Sequence, residues 1–423
     1  MAIRGFYRSA LLFVFLNMPG AQSFSGPLAL DSLIKKALNN NTNIIAAKYL
    51  HSSADFASKA AGALPDPQLT IAASNMPRSS LSFDQTPMSG KSIGFMQPIP
   101  WPGKLSAKSK LAHSIADVQS ENVKIARNRV VRQLKESYYD YSYWVLATKL
   151  IDENIEISKD IIEFVETRYA NGESSLEEVI SSEIKSAELS NKKLQFESNQ
   201  KSWLLRLGHL TNDSFIVSTE IAALLPLEID TVLPAGINAV TGNPSLARAR
   251  FNISAAKYKE SLARSKYLPD FMLGIDYRIR SDELTEPIGG EDFLSFKVGL
   301  SVPLWFFTKQ KNEVRAKRQG LLAAQAEEKS ISILLQQSIK DTQQQLGSLY
   351  NQAKQYQKTI IPLAEAAFEA AFAAHEVGQI DLKAVMDDQI ILLNSKLAHL
   401  SLVKQFHQTQ AVLDELSGKK YGE

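Results

Sequence analysis

The chain has 423 residues, and its 47 Lys and Arg nearly balance 45 Asp and Glu. That balance argues against nucleic acid as the main partner, because phosphate binding needs a net basic footprint. The lack of cysteine excludes disulfides, thiol nucleophiles, cysteine-based metal sites and a lipid anchor on an N-terminal cysteine.

Residues 1–23 read as a signal peptide. Arg4 and Arg8 give a positive start, and the residues from Leu11 to Leu16 form an apolar run. Pro19 and Gly20 break the run, and Ala21, Gln22 and Ser23 offer a cleavage site. The run is shorter than the roughly 20 apolar residues of a spanning helix. The expectation is therefore export, to the periplasm or to an outer-membrane barrel.

From there a first repeat, 24–211, is predicted as a helix over 28–64, strands over 67–75 and 91–100, a long helix over 104–170 and a return helix over 174–211. Residues 212–242, with Pro226 and Pro234, read as a linker. A second repeat, 243–418, follows: a helix over 243–267, strands over 270–280 and 293–304, a long helix over 308–375 and a return helix over 380–417. Residues 419–423 are left as a tail. The repeat rests on ordered landmarks. Pro65–Asp66–Pro67 is answered by Pro269–Asp270–Phe271 about 204 residues later, and Gly172, Leu176 and Val179 by Gly378, Leu382 and Val385.

The strands alternate with period two. Phe271, Leu273, Ile275, Tyr277 and Ile279 take one face, against Met272, Gly274, Asp276, Arg278 and Arg280 on the other. Phe296, Val298, Leu300, Val302 and Leu304 repeat the pattern, and Leu69, Ile71, Ile93, Phe95 and Ile99 follow it more weakly. About 9 to 11 residues is the length of a tilted membrane strand. Trp101, Tyr267 and Trp305 fall at strand ends, where an aromatic girdle belongs. In the second long helix Ile339, Thr342, Leu346, Leu349, Ala353, Tyr356, Ile360, Leu363 and Ala367 step by three and four as a coiled-coil seam. Pro362 should bend that helix or open its hydrogen bonding.

Four strands cannot close a barrel, and an open edge is not tolerated in lipid. The barrel must be shared, with eight strands from two chains or twelve from three; the larger count leaves room for a channel. The fold class expected is an α+β membrane protein in which a shared β-barrel continues into a long α-helical coiled-coil tube.

The segments "LPDPQL" (from Leu64), "QPIPWPGKL" (from Gln97), "RYANGESSLEEV" (from Arg168) and "NPSLARAR" (from Asn243) resemble the TolC-like outer-membrane efflux proteins over nearly the whole mature chain. The resemblance implies a homotrimer with a twelve-stranded outer-membrane barrel, four strands per chain, and a periplasmic helical tunnel. It implies a periplasmic adaptor and an inner-membrane pump as partners, outer-membrane lipid around the barrel, and metal ions or small toxic compounds as cargo. "LPDP" and "PWPGKL" look most like members that serve heavy-metal resistance–nodulation–division pumps. Many of those begin with a lipidated cysteine, which this chain lacks. A duct for type I protein secretion is the alternative within the family. A soluble periplasmic coiled-coil adaptor is the rival from another class, opposed by two hairpins and four girdled strands.

Gly172 and Gly378 mark two helix–helix tips. By the resemblance, Arg168, Gly172, Val377, Gly378 and Ile380 contact the adaptor, and Asp387 matches a pore constriction. Asp388 and Glu178 are further constriction candidates, since a symmetric assembly turns any inward acid into a ring and carboxylate rings select cations. The six histidines show no metal-ligand spacing and read as solvated helix-surface residues. No catalytic constellation, metal site or cofactor motif is expected, so the reading is a conduit and no enzyme.

Overall fold

A computed structural model describes residues 30–83, 86, 88–213, 242–280 and 291–421. The signal segment 1–23, most of the linker at 212–242 and nearly all of the loop at 281–292 lie outside the described residues.

The opening helix is divided, into α1 (Leu30–Asn40) and α2 (Thr42–Ala61), where a single helix over 28–64 was expected. Asn41 is the cause. It leaves the helical region (φ −66°, ψ 124°), and its side chain accepts from the Asn43 N–H at 3.0 Å. Its amide donates to the Leu210 carbonyl at 2.9 Å. Asn competes well with the backbone for such bonds, so it ends one helix and starts the next.

Strands β1 (Gln68–Ser74), β2 (Gly90–Ile99), β3 (Asp270–Ile279) and β4 (Phe293–Ser301) form one antiparallel sheet in chain order. Its register aligns the apolar alternation across all four strands. Ile71 opposes Ile93, Ile93 opposes Tyr277, and Tyr277 opposes Leu294. Leu69, Phe95, Ile275 and Phe296 make the next row. These side chains are exposed, Ile71, Phe296 and Val298 at 77 % each. The opposite face mixes small and polar residues with Met272, and Ser92 and Asp276 on it are buried. There Gly94 opposes Asp276, whose carboxylate lies 3.5 Å from Lys297. A Cβ on Gly94 would stand 2.9 Å from that carboxylate, so a larger residue there would have to push it aside. β4 stops at Ser301, short of the expected 304, because Pro303 has no N–H for the ladder.

The helices are α3 (Lys104–Ala170), α4 (Leu176–Thr211), α5 (Pro244–Ser265), α6 (Lys311–Gln355), α7 (Ile361–Glu376) and α8 (Leu382–Leu416). α3 alone spans roughly 100 Å. α2 and α4 both pack along it, so together they match its length. On the sheet side the helices neighbour one another in the order α2, α3, α5, α6; on the tip side the order is α4, α3, α8, α7. One buried cluster joins α1, α2, α3 and α4 through Leu33, Ile44, Val131, Leu134 and Leu207. A second joins α3, α4 and α8 through Ile151, Phe196 and Leu393. A third sets Ile339, Leu346 and Leu349 of α6 against Phe406 and Leu413 of α8.

The second long helix is interrupted by two π-helical turns, Phe306–Gln310 before α6 and Tyr356–Ile360 between α6 and α7. Pro362 explains the second. It has no N–H to donate one turn back, and the wider turn ahead of it absorbs the mismatch. The turn also shifts the seam. Ile339, Thr342, Leu346, Leu349 and Ala353 are buried as expected. Leu363 and Ala367 are exposed instead, and Ala364 and Ala371 are buried in their place. The extra residue in a π turn rotates the buried stripe, which a fixed three-and-four step cannot follow.

Candidate functional site

Both tips turn on glycine. Gly172 (φ 77°) and Gly378 (φ 74°) take the left-handed conformation that ends α3 and α7. The Arg168 guanidinium crosses from the first tip to donate to the His375 carbonyl at 3.1 Å, and it also lies over the Phe164 ring. The Glu173 carboxylate stands 3.7 Å from it. His375 is buried, and its Nδ1 meets the Ile380 carbonyl at 2.9 Å. Beneath them Ile161, Val165, Leu382 and Met386 form the last apolar cluster of the helical body. The five residues expected at the tips thus gather at one end. Arg168 ties the first turn to the second and Ile380 closes the second turn on His375, while Gly172, Val377 and Gly378 are exposed, Val377 at 68 %.

Just inside the tips, the first turns of α4 and α8 enclose an open groove of about 600 Å³. Glu177, Glu178, Glu188, Asp381 and Asp387 line it, with Lys185 and Lys383. The acids outnumber the bases, so the groove is electronegative. Asp387 is exposed on it; Asp388, one residue further round α8, is half-buried and does not line it. Glu178 is engaged locally: the Ser174 hydroxyl bonds its carboxylate, and Ser175 Oγ accepts from its backbone N–H at 3.2 Å. The structure therefore brings Asp387 and Glu178 into one groove, with Glu178 bonded to its own turn and Asp387 exposed.

His113 and His209 are exposed as the sequence reading has them, but His375, His399 and His407 depart from it. His375 is 5 % exposed, and His407 stacks on Tyr139 with ring centroids 4.8 Å apart. Burial holds the His399 and His407 rings below the usual imidazole range. Packing between α3, α7 and α8 overrides the polarity of the side chain. Among the described residues no group of three or more His, Asp and Glu is arranged to hold a metal ion.

At the sheet end, Trp101, Tyr267 and Trp305 all flank the edge of the sheet from which the helices leave. Trp305 is 72 % exposed, whereas Trp101 stacks on Phe271 at 5.5 Å. Asp270 accepts from the Trp101 N–H at 2.8 Å and pairs with Lys104 at 2.8 Å, which fastens the first half of the chain to the second. A second fastening was missed by the sequence reading. Asp414 of α8 pairs with Lys135 of α3 at 2.7 Å and accepts from the Tyr421 hydroxyl at 2.8 Å. Lys135 and Tyr421 are also bonded, at 3.0 Å. Tyr421 lies in what was read as a free tail, and no spacing rule connects it to Lys135.

The arrangement offers a two-faced sheet, a long helical body and an acidic groove at its far end. The sequence pattern of the outer membrane efflux protein family matches residues 33–213 and again 238–419, once in each half of the chain. The chain is 21 % identical over 399 residues to the cobalt-zinc-cadmium resistance protein CzcC of Cupriavidus metallidurans, covering 93 % of this chain and 91 % of that one. Its fold is shared with the outer membrane protein VceC of Vibrio cholerae (TM-score 0.76, 17 % identity, 92 % of this chain and 96 % of that one). It is shared likewise with the CmeC outer membrane channel of Campylobacter jejuni (TM-score 0.76, 15 % identity, 92 % and 85 %). The protein is a channel of the outer membrane and no enzyme, and the chain belongs to the outer membrane efflux protein family.

Proposed function

We propose that three copies of this chain assemble into one duct, a twelve-stranded barrel continued by a helical tunnel. It passively carries cargo from an inner-membrane pump and a periplasmic adaptor to the outside. The observation that carries this reading is the matched set of unfinished edges. β1 and β4 each have a free side among the described residues. At the same ends of the row, α2 exposes Tyr49, Leu50 and Phe56, and α6 exposes Leu322, Ile333 and Leu334. Joining β4 and α6 of one copy to β1 and α2 of the next closes sheet and helices in one operation. Unpaired strand edges cost several kcal/mol per group in lipid, so closure is required. Native mass spectrometry in mild detergent is expected to give a trimer; a stable monomer or dimer overturns the reading.

In this assembly Trp101, Tyr267 and Trp305 form the girdle at the periplasmic edge of the membrane. The exposed turn at Gly172, Val377 and Gly378 meets the adaptor. The likeness to a cobalt-zinc-cadmium resistance protein favours divalent metal cations as cargo. So does the acidic groove, which threefold symmetry repeats around the axis. Asp387 is the constriction residue of choice, with Glu178 behind it. Asp387→Asn keeps the shape and removes the charge. In planar bilayers the variant is expected to lose cation preference and sensitivity to divalent block while trimer stability holds. Unchanged selectivity and block would place Asp387 outside the pore and make Asp388 the next residue to replace.

A further inference from the structure

We propose that the junction between sheet and helices is a binding collar for anionic phospholipid headgroups of the inner leaflet of the outer membrane. The inference rests on the assembled barrel proposed above. Thirteen Lys and Arg but only five Asp and Glu fall in the stretches 55–68, 101–113, 257–270 and 304–318, whereas the whole chain carries a formal +2. All four stretches adjoin the end of the sheet from which the helices leave. The near-neutral total therefore hides a strongly basic ring at one level of the molecule.

The acids of this level are mostly committed. Asp55 pairs with Lys59, Asp270 with Lys104, Glu260 with Arg264 and Glu313 with Lys266. Lys108, Lys110, Lys309, Lys311, Arg315 and Arg318 are exposed and, among the described residues, form no ion pair. Lys309 and Lys311 stand at the opening turn of α6, where the helix dipole disfavours cations, and the other four lie within the next two turns of α3 and α6. Among the described residues none of the six has an acid paired with it, and a negative partner outside the chain would supply one.

The position of the ring says which partner. The apolar face of β4 runs on through Val302 and Leu304, 59 % and 71 % exposed, into Trp305 and Phe307, 72 % and 70 % exposed. Lys309 and Lys311 follow these two aromatics by four residues through the π turn and into α6, so the cations come just beyond the aromatics on the helix side. Four residues of helix advance the backbone by about 5–6 Å, from the level of the aromatics to that of the cations. Headgroups occupy a layer of about that depth outside the hydrocarbon. Aromatics at the boundary with cations just beyond are the arrangement that recognises a phosphodiester headgroup. The lipid is a phospholipid because the collar lies on the helix side, facing the periplasmic leaflet.

The test uses the purified full-length protein, delipidated in neutral detergent and dosed with dioleoylphosphatidylglycerol or dioleoylphosphatidylcholine. Native mass spectrometry counts the lipids retained. The wild type is expected to retain several-fold more phosphatidylglycerol than phosphatidylcholine, less so at high salt. Lys309→Gln, Lys311→Gln and Arg315→Gln combined should bring the ratio towards one. Lys309→Arg with Lys311→Arg should keep it, and so should Lys201→Gln with Lys329→Gln away from the collar. Equal retention of the two lipids by the wild type, or an undiminished preference in the triple glutamine variant, overturns the collar. The same spectra give the oligomeric state. A monomer that still prefers phosphatidylglycerol overturns the trimer alone, and a trimer without preference overturns the collar alone.

Discussion

Replacing Ile275 with Arg is expected to destabilise the barrel by about 2–4 kcal/mol, the cost of an arginine on the lipid face near the bilayer midplane. Ile275 stands in the middle of β3, between Phe95 and Phe296, in a row that is apolar across the whole sheet. An arginine there has no polar neighbour on its own face and is too far from either strand end to reach water easily. Arg278→Leu makes the contrast. Arg278 lies on the opposite face, across from Ser92 of β2, with its side chain running past Gly90 and its guanidinium 3.4 Å from the Met88 carbonyl. Its loss removes one long hydrogen bond and leaves a leucine in a wet lumen, which should cost under about 1.5 kcal/mol. Urea unfolding of the protein refolded into lipid vesicles, followed by tryptophan fluorescence, measures both. Equal costs would mean that the two faces of the sheet have been assigned the wrong way round.

The two-faced sheet was legible because a strand turns over every residue. Once Leu273, Ile275 and Tyr277 are seen to alternate with Gly274, Asp276 and Arg278, the face of each is fixed without knowledge of its neighbours. The long helices were legible for a similar local reason, and α3 runs over 104–170 as its unbroken periodicity predicts. What was not legible depended on events between distant segments or on small local choices. The Asn41 break needed a polar residue to choose a cap over a helical bond, with Leu210 offering its carbonyl. The slip of the seam beyond Ala353 needed the π turn, which Pro362 announces but does not place. At the tips the glycines were readable. That Arg168 would cross to the His375 carbonyl was not, because the two residues are 207 positions apart. Histidine burial failed for the same reason: the side chain is ambivalent, and only the surface packed against it decides.

The second large effect belongs to Asp414. The carboxylate is buried and sits in the last turn of α8, where the helix dipole is unfavourable to an acid. Burial alone would raise its pKa, but the hydrogen bond and charge of Lys135, helped by Tyr421 and Lys419, hold it below the usual carboxylate range. Asp414→Ala removes one partner and leaves the Lys135 ammonium, itself largely buried, without a counter-charge. Such half-removed pairs cost about 3–5 kcal/mol. Lys135→Met added to Asp414→Ala should recover much of that loss, because the uncompensated charge goes with it. The acid limb gives an independent check. A carboxyl whose folded pKa is depressed contributes stability that is present above its unfolded value, about 3.9, and is lost as the pH falls through the folded value. Wild type should therefore weaken as the pH drops below about 4, and Asp414→Asn, already weakened, should change less over the same interval. His407 adds an earlier loss common to both proteins. Its ring is buried and held below the usual range, so it disfavours folding once the pH falls below about 6.5. Thermal unfolding of the purified protein from pH 7 to pH 3 separates the two steps. Parallel curves for wild type and Asp414→Asn below pH 4 would show that the Lys135–Asp414–Tyr421 cluster does not fasten α3 to α8.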